Sequence, residues 1–565
     1  MTERPLVECV PNFSEGRDLA VIAEITAAIE AVDGVSLLDV DPGAATNRTV
    51  VTFVGSPNAV VEAAVAAGST AAAVIDMAIH TGEHPRFGAM DVCPFVPVRG
   101  VSMDEVAALA IEAGRRLGEA GTSVYLYEHA ATAPHRRNLA SVRAGEYEGL
   151  EEKLQDPQWA PDFGPATLNP RAGATAVGAR DFLVAYNVNL NTTSTRRANA
   201  VAFDVREKGR MQRSGDPLTG DIVRNEDDSP VWTPGSLRAV KAIGWFIDEY
   251  GIAQISMNLT DISVTPVHVA FDEVVDRAAA RGLRVTGSEI VGMVPLHVLL
   301  DAGRHYLGKQ QRSLGVGEDE LVKIAVRSLG LEDLAPFDPM EKVIEYRLGE
   351  RRRGDLVGRS VAEFVRVTAG DSPAPGGGSV AALAGALGAA LGAMVANLSA
   401  HRRGWDHRWE EFSEWAVRGH DLAERLLELV DDDTAAFNAI LEAWRLPSGT
   451  AAEDDARSQA VVAATRTAIE VPLQVMKTAG ASFEVIAAMV ETGLASSVTD
   501  AGVGALMARA AVQAAHLNVR VNAAALDARE AEPYLARAEA ISAQVDAAER
   551  AALDGVDARL AADAG

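Results

Sequence analysis

At 565 residues the chain is too long for one hydrophobic core, so two to four domains are expected. A hydrophobic fraction of 48% excludes a disordered chain, and a formal charge of −27 argues against nucleic acid or an anionic membrane surface as partner. Any acidic substrate must then be met by locally placed arginines. The two cysteines, Cys9 and Cys93, sit in no C-x-x-C or secreted pattern, and the first residues have no basic-then-apolar leader, so a reducing, cytoplasmic setting is expected.

Leu6–Val10 reads as a strand stopped by Pro11-Asn12, Phe13–Gly16 as a turn, and Asp18–Ala31 as a helix. Strands Val35–Val40 and Thr49–Val54 enclose the polar run Asp41 to Arg48. A helix over Asn58–Met77 leads to His80-Thr-Gly-Glu-His84-Pro-Arg86. Gly82 and Pro85 make that stretch a rigid charged loop, not a helix. Val92–Val98 is a further strand, Ser102 and Glu105 form a capping box opening a helix to Leu117, and Val124–Glu128 is a strand. This order suggests helices on one face of a largely antiparallel sheet. Residues 131–180 are irregular, and Trp159–Pro165 and Gly173–Arg180 read as the flanks of a covering or binding loop.

Phe182–Leu190 repeats the opening pattern: an apolar strand carrying asparagines (Asn187, Asn189), then a helix, Arg196–Lys208. A second lobe is expected, with a polar insertion at 205–235, a strand at Ala253–Asn258, a helix at Val269–Ala280 and a strand from Arg284. Prolines and Arg351-Arg-Arg mark 329–357 as a linker. From Val361 onward only Ala-rich helical periods appear, so an all-α bundle is expected. Val380–Ala396 has no polar side chain, but its Ala and Gly content fits a close-packed bundle helix better than a membrane span. Gly385, Gly388 and Gly392 share one side of it, a surface for tight helix contact.

Asn12, Asp41, Asn47, Arg48, His84 and Arg86 all fall at strand ends or in loops, where they can converge on a cleft suited to an acidic substrate and a proton transfer. Taken singly, Arg48 and Arg86 read as surface ion pairs and His84 as a turn residue. His80 and His84 are four apart, but Gly82 breaks the helix that a metal pair would need, so no metal is expected. Ser372-Pro-Ala-Pro-Gly-Gly-Gly-Ser379 precedes a helix. It reads either as an anion-attracting N-terminus or as a turn with Ser379 as N-cap, and no Lys-Ser/Thr follows as in a phosphate loop. Asp431, Asp432 and Asp433 cannot share one helix face. At least one should point inward, where an apolar setting keeps a carboxyl protonated, unless the run is a solvated turn. Ser497, Asp500, Asn518 and Asn522 are polar residues on otherwise apolar helices.

Leu6-Val-Glu-Cys-Val-Pro-Asn-Phe-Ser-Glu-Gly16, Leu38-Asp-Val-Asp41, Thr46-Asn-Arg-Thr49 and Gly82-Glu-His-Pro-Arg86 together resemble the formimidoyltransferase-cyclodeaminase family, over nearly the whole length. The resemblance implies two α+β lobes of ferredoxin-like sandwich type (1–181 and 182–328), a linker (329–357) and an all-α domain (358–565). It implies transfer of a formimidoyl group from N-formimidoyl-glutamate to N5 of tetrahydrofolate, then ring closure to methenyltetrahydrofolate with release of ammonia. By the same resemblance His84 is catalytic with Asp41 as its carboxylate partner, and Asp433 is the acid of the second site. Asn12, Arg48 and Arg86 bind substrate. Gly164, Pro165, Arg171 and Gly173 belong to a folate loop, and Gly377 and Ser379 to the second site. Tetrahydrofolate is a co-substrate, no metal or redox cofactor is implied, and a homo-oligomer through the helical domain is expected. Asn169-Pro-Arg171 departs from the family's loop, and the bundle match loosens after Arg445. For the bundle, a methenyltetrahydrofolate cyclohydrolase and an inert oligomerisation module remain as alternatives.

Overall fold

The computed structural model describes residues 5–43, 47–82, 86–215, 220–248, 250–348, 356–372 and 374–563. Contacts divide the chain into two compact units: 1–298 with 329–348, and 299–328 with 349–565.

The first unit holds two large sheets and one two-stranded ribbon. In the first, β1 (Leu6–Cys9), α1 (Leu19–Glu30), β3 (Val35–Gly43), β4 (Arg48–Gly55), α2 (Pro57–Val74) and β5 (Met90–Arg99) form a βαββαβ run with strand order β3-β4-β1-β5. The strand expected to stop at Pro11 resumes for two residues as β2 (Asn12–Phe13), which pairs with both β4 and β5. After α3 (Met103–Glu119), β6 (Ser123–Glu128) and β7 (Ala174–Ala179) extend the sheet in parallel, in the order β5-β7-β6. Asp18 caps α1, and the reciprocal Ser102–Glu105 box caps α3.

Side chains alternate across strands. Val7, Cys9, Val51, Phe53, Cys93 and Phe95 therefore form one buried face, sealed by apolar stripes of α1, α2 and α3. The opposite face is covered in two places. Leu38, Val54 and Val96 pack with Phe182 and Ile344. Phe87, Tyr125 and Ala176 pack under short helices including Leu139–Val142 and Leu150–Gln155.

The second sheet repeats the order. β8 (Val184–Leu190), α4 (Thr195–Val205), β9 (Val240–Ile247), β10 (Ile252–Leu259), α5 (Val267–Ala279) and β11 (Val285–Val291) give β9-β10-β8-β11, all antiparallel. Its helix-free side is polar: Gln254 donates to Asn189 at 2.8 Å, and Asn189 to Asp333 at 3.0 Å.

Three sequence expectations change here. Gly173–Arg180 is not loop: Ala174–Ala179 is a fully buried strand between β5 and β6. Val240–Ile247 is an additional strand, buried at every second residue at its start. Within the 205–235 segment, Arg210–Met211 pairs with Trp232–Thr233. The contacts also group 299–328 with the helices, and 329–348, read as linker, with the sheets.

The second unit is helical. It comprises the end of α6 (Leu296–Lys309), α7 (Glu318–Leu329), α8 (Val361–Thr368), α9 (Gly377–Ala400), α10 (Trp409–Trp444), α11 (Ala451–Thr492), α12 (Val498–Ala523) and α13 (Ala528–Asp563). α9 lies against α10, α11 and α12. Gly385, Gly388 and Gly392 of α9 serve contacts inside the chain: a Cβ on Gly388 would stand 2.8 Å from the Gly504 carbonyl of α12, Gly385 faces Leu426, Ala479 and Ala511, and Gly392 faces Val485 and Ile486. Loop residues 313–315 dock on this bundle: Leu314 N donates to Ser413 Oγ (2.9 Å), and Asn397 Nδ2 to Gly315 O (2.8 Å). α9 and α11 are long and apolar enough to cross a membrane, with 61% and 56% of their most apolar windows buried inside the protein. That is the burial pattern of core helices.

Candidate active sites

Opposed residues on paired strands point to the same face. Asp41 opposes Val50, and Val50 opposes Asn12. These residues and Arg48 therefore lie on the face of the first sheet opposite α1, α2 and α3, because the intervening Val51 is in the core those helices seal. Arg48 Nε donates to Asn12 Oδ1 at 2.9 Å, and Arg48 Nη1 pairs with Asp91. Arg143 Nη2 reaches the same Asp91 oxygen at 2.7 Å. Burial lowers the Arg48 pKa, and the Asp91 charge pulls it back. Asp41 is exposed near the end of β3.

Asn47 organises the neighbouring loops. Held at φ 50°, its Oδ1 accepts from Gly16 N (3.0 Å) and its Nδ2 donates to Thr81 O (2.8 Å). Its carbonyl meets His80 Nε2 at 2.9 Å, so that nitrogen carries the proton. Burial pushes the His80 pKa down. His84 lies outside the described residues, but both flanks of its segment are in place. On one side stand His80 and Thr81, held by Asn47. On the other is Arg86, whose guanidinium ties to the carbonyls of Met77 and His80 and to Glu148, and whose carbonyl accepts from Tyr147 N at 2.8 Å. Arg86 is thus occupied in fastening the loop. Among the described residues no cluster of three or more His, Cys, Asp or Glu could hold a metal.

The 164–173 loop runs between the starts of β6 and β7, with its Gly164 end packed against Gly118 of α3. Gly164 (φ 82°) packs on Thr122 O, and Pro165 O accepts from Ser123 Oγ at 2.6 Å. Gly173 (φ 64°) abuts Gly88, and Arg171 is 60% exposed beside Asp76, with its carbonyl bonded to Met77 N. Arg171 and Gly173 therefore adjoin the Asn47–His80 region, while Phe163, paired with Val124 on the outer edge of β6, puts Gly164 and Pro165 about three strand spacings, roughly 14 Å, from β5. Sequence reasoning overlooked Asp91 and Arg143. An aspartate inside the otherwise apolar strand Met90–Pro97 is the signal that finds the first; nothing local marks the second.

In the helical unit the three adjacent aspartates diverge. Asp431 accepts from Leu356 N and Val357 N, Asp432 lies 3.8 Å from Arg425, and Asp433 turns to the start of α9. Ser379 Oγ donates to Asp433 Oδ2 (3.0 Å) and lies 3.2 Å from Thr434 Oγ1. Gly376, not Ser379, is the N-cap; Ser379 is the third helical residue and fully buried. A Cβ on Gly378 would overlap the Asp433 carboxylate, and one on Gly377 would stand 3.5 Å from Asn518 Nδ2. Burial raises the Asp433 pKa, with the Ser379 hydrogen bonds opposing it. The structure thus unites Gly377, Ser379, Asp433 and Asn518. Asn522 instead donates to Ala468 O, and Ser497 and Asp500 lie at the other end of α12.

Three family models match the sequence: "Formiminotransferase domain, N-terminal subdomain" over residues 6–180, "Formiminotransferase domain" over 185–349, and "Formiminotransferase-cyclodeaminase" over 360–540. The formimidoyltransferase-cyclodeaminase of Mus musculus is 44% identical over 519 residues, 92% of each chain. A glutamate formimidoyltransferase of Thermoplasma acidophilum is 43% identical over 305 residues, covering 54% of this chain and 92% of that one. A methenyltetrahydrofolate cyclohydrolase of Methylorubrum extorquens is 32% identical over 189 residues, 33% of this chain and 91% of that one. With both halves matched in one continuous alignment, the chain belongs to the formimidoyltransferase-cyclodeaminase family.

Proposed function

We propose that the chain is a bifunctional folate enzyme. Its sheet unit transfers the formimidoyl group of N-formimidoyl-glutamate to N5 of tetrahydrofolate, and its helical unit cyclises the product to 5,10-methenyltetrahydrofolate and releases ammonia. The full-length similarity to the mouse enzyme carries this reading. Tetrahydrofolate is the co-substrate. In the first step N5 attacks the amidine carbon and loses a proton while the glutamate nitrogen leaves and gains one. His84, with Asp41 as its partner, moves that proton, and the loops anchored by Asn47 and Arg86 position it. Asn12 and Arg48 on the sheet face, and Gly164, Pro165, Arg171 and Gly173 beside it, hold the two substrates.

In the second step N10 attacks the same carbon and gives its proton to the amidine nitrogen, which leaves as ammonia after taking one further proton. Asp433 supplies it: burial favours its protonated form, and Ser379 fixes one oxygen. Gly377 leaves room beside Asn518 for the folate.

The two βαββαβ lobes are ferredoxin-like sandwiches, a reading supported by their shared strand order. The protein is cytoplasmic, a reading supported by its two free, buried cysteines. It is a homo-oligomer through the helical unit. Leu387 and Leu398 of α9 and Leu506, Leu517 and Val521 of α12 are 44–67% exposed on adjoining helices. A second copy covers such a face better than a membrane does, given the charge of −27.

The test is an assay of the full chain with N-formimidoyl-glutamate and tetrahydrofolate. Ammonia should appear together with the methenyl product, and omission of either substrate should abolish both. The cyclohydrolase similarity supports a second reading of the bundle. In that case supplied methenyltetrahydrofolate is hydrolysed and no ammonia is released from 5-formimidoyltetrahydrofolate.

A further inference from the structure

Asp91 is a carboxylate almost wholly withdrawn from water, its side chain 1% exposed. Arg48, 43 residues away in sequence, and Arg143, 52 residues away, both donate to its Oδ2. Their side chains remain 14% and 16% exposed. Asp91 Oδ1 accepts no hydrogen bond among the described residues. A buried carboxylate needs a cation to offset its desolvation, and one guanidinium supplies that charge. Here two guanidiniums, from segments far apart in sequence, converge on the same carboxylate oxygen. Guanidinium forks recognise carboxylates in a plane, and a shared anchor holds both forks in place before a ligand arrives.

The cluster also lies close to the proposed chemistry. Arg48 follows Asn47, which holds His80 and Thr81 on one flank of the His84 segment. Arg143 precedes by four residues Tyr147, which holds Arg86 on the other flank. We propose that Arg48 and Arg143, positioned by Asp91, bind a carboxylate of a glutamyl group, and that this group belongs to the formimidoyl donor and not to the folate tail. This rests on the transferase reading above. In the donor, three covalent bonds separate the reacting carbon from the α-carboxylate carbon, a reach of about 4 Å. In the folate, the whole p-aminobenzoyl group stands between N5 and the glutamyl carboxylates.

The test is steady-state kinetics on full-length Arg143→Gln and Arg143→Lys. The KM for N-formimidoyl-glutamate should rise at least tenfold in Arg143→Gln and less in Arg143→Lys. The KM for tetrahydrofolate should stay within twofold, and ammonia release from supplied 5-formimidoyltetrahydrofolate should not change. Asp91→Asn, which loosens both forks, should raise the donor KM more than it lowers kcat. A rise in the tetrahydrofolate KM alone assigns the cluster to the folate tail and overturns the proposal, as does an unchanged donor KM. If Arg143→Gln does not fold, an unchanged donor KM in Arg143→Lys overturns it equally. A wild-type chain that transfers nothing from the donor defeats the functional reading itself, a result distinct from both.

Discussion

Ser379 and Asp433 meet across two helices of the bundle: the serine hydroxyl at the start of α9 donates to Asp433 Oδ2 on α10 at 3.0 Å. The contact depends on glycine, since any side chain at position 378 would occupy the space of the carboxylate. Asp433→Asn keeps the shape but removes the proton donor, so ammonia release should fall roughly 100-fold or more. Gly378→Ala should displace the carboxyl and lower the same rate comparably. Both variants should retain transfer, measured as 5-formimidoyltetrahydrofolate formed from the donor.

Asn47 tethers three loops from a left-handed backbone. Asn47→Ala strains that backbone and cuts the side-chain ties to Gly16 and Thr81. Transfer should fall roughly 10- to 100-fold through misplacement of the neighbouring loop, with ammonia release unaffected. Equal losses in both assays would mean global damage and not a local positioning effect.

Glu8 sits on β1, 3% exposed, opposite Val54 and Val96. Burial pushes its carboxyl from 4.5 up to about 7, with Arg180 opposing and Glu345 adding to the rise. The folded state therefore holds this proton more tightly than the unfolded one. Its contribution to stability is complete below about pH 4.5 and is lost as pH rises to about 7. Glu8→Gln should remove that loss, leaving the variant more stable than wild type at pH 8 by at most about 3 kcal/mol, with little difference near pH 4.5. Urea midpoints at the two pH values measure this, and parallel shifts would contradict it.

The exposed leucines of α9 and α12 predict a self-association surface. Leu517→Glu combined with Leu387→Glu should lower the mass seen by sedimentation equilibrium. An unchanged mass would place the interface elsewhere.

Much of this architecture was legible locally. The Ser102–Glu105 box, the 3.6-residue periods of α1–α3 and the change of style at Val361 follow from short-range physics. Ala174–Ala179 was not: Val177 is its one β-branched apolar residue among Ala, Thr and Gly, and it becomes a strand because β5 and β6 flank it. Val240–Ile247 has the alternation of a half-buried strand, but only its first residues keep it and a long polar stretch precedes it. In the candidate site, Asn12 and Arg48 stand out because polar residues interrupt strand ends. Asp91 and Arg143 owe their meaning to a contact across 52 residues, which no local pattern encodes. The inward turn of one aspartate was foreseeable from helix geometry, but that it meets Ser379 is a fact of tertiary packing.

The most direct measurement is full-length His84→Ala assayed in both reactions. The two-site account predicts that transfer from N-formimidoyl-glutamate is abolished while ammonia release from supplied 5-formimidoyltetrahydrofolate continues at the wild-type rate. Retained transfer, or equal loss of both activities, would contradict it.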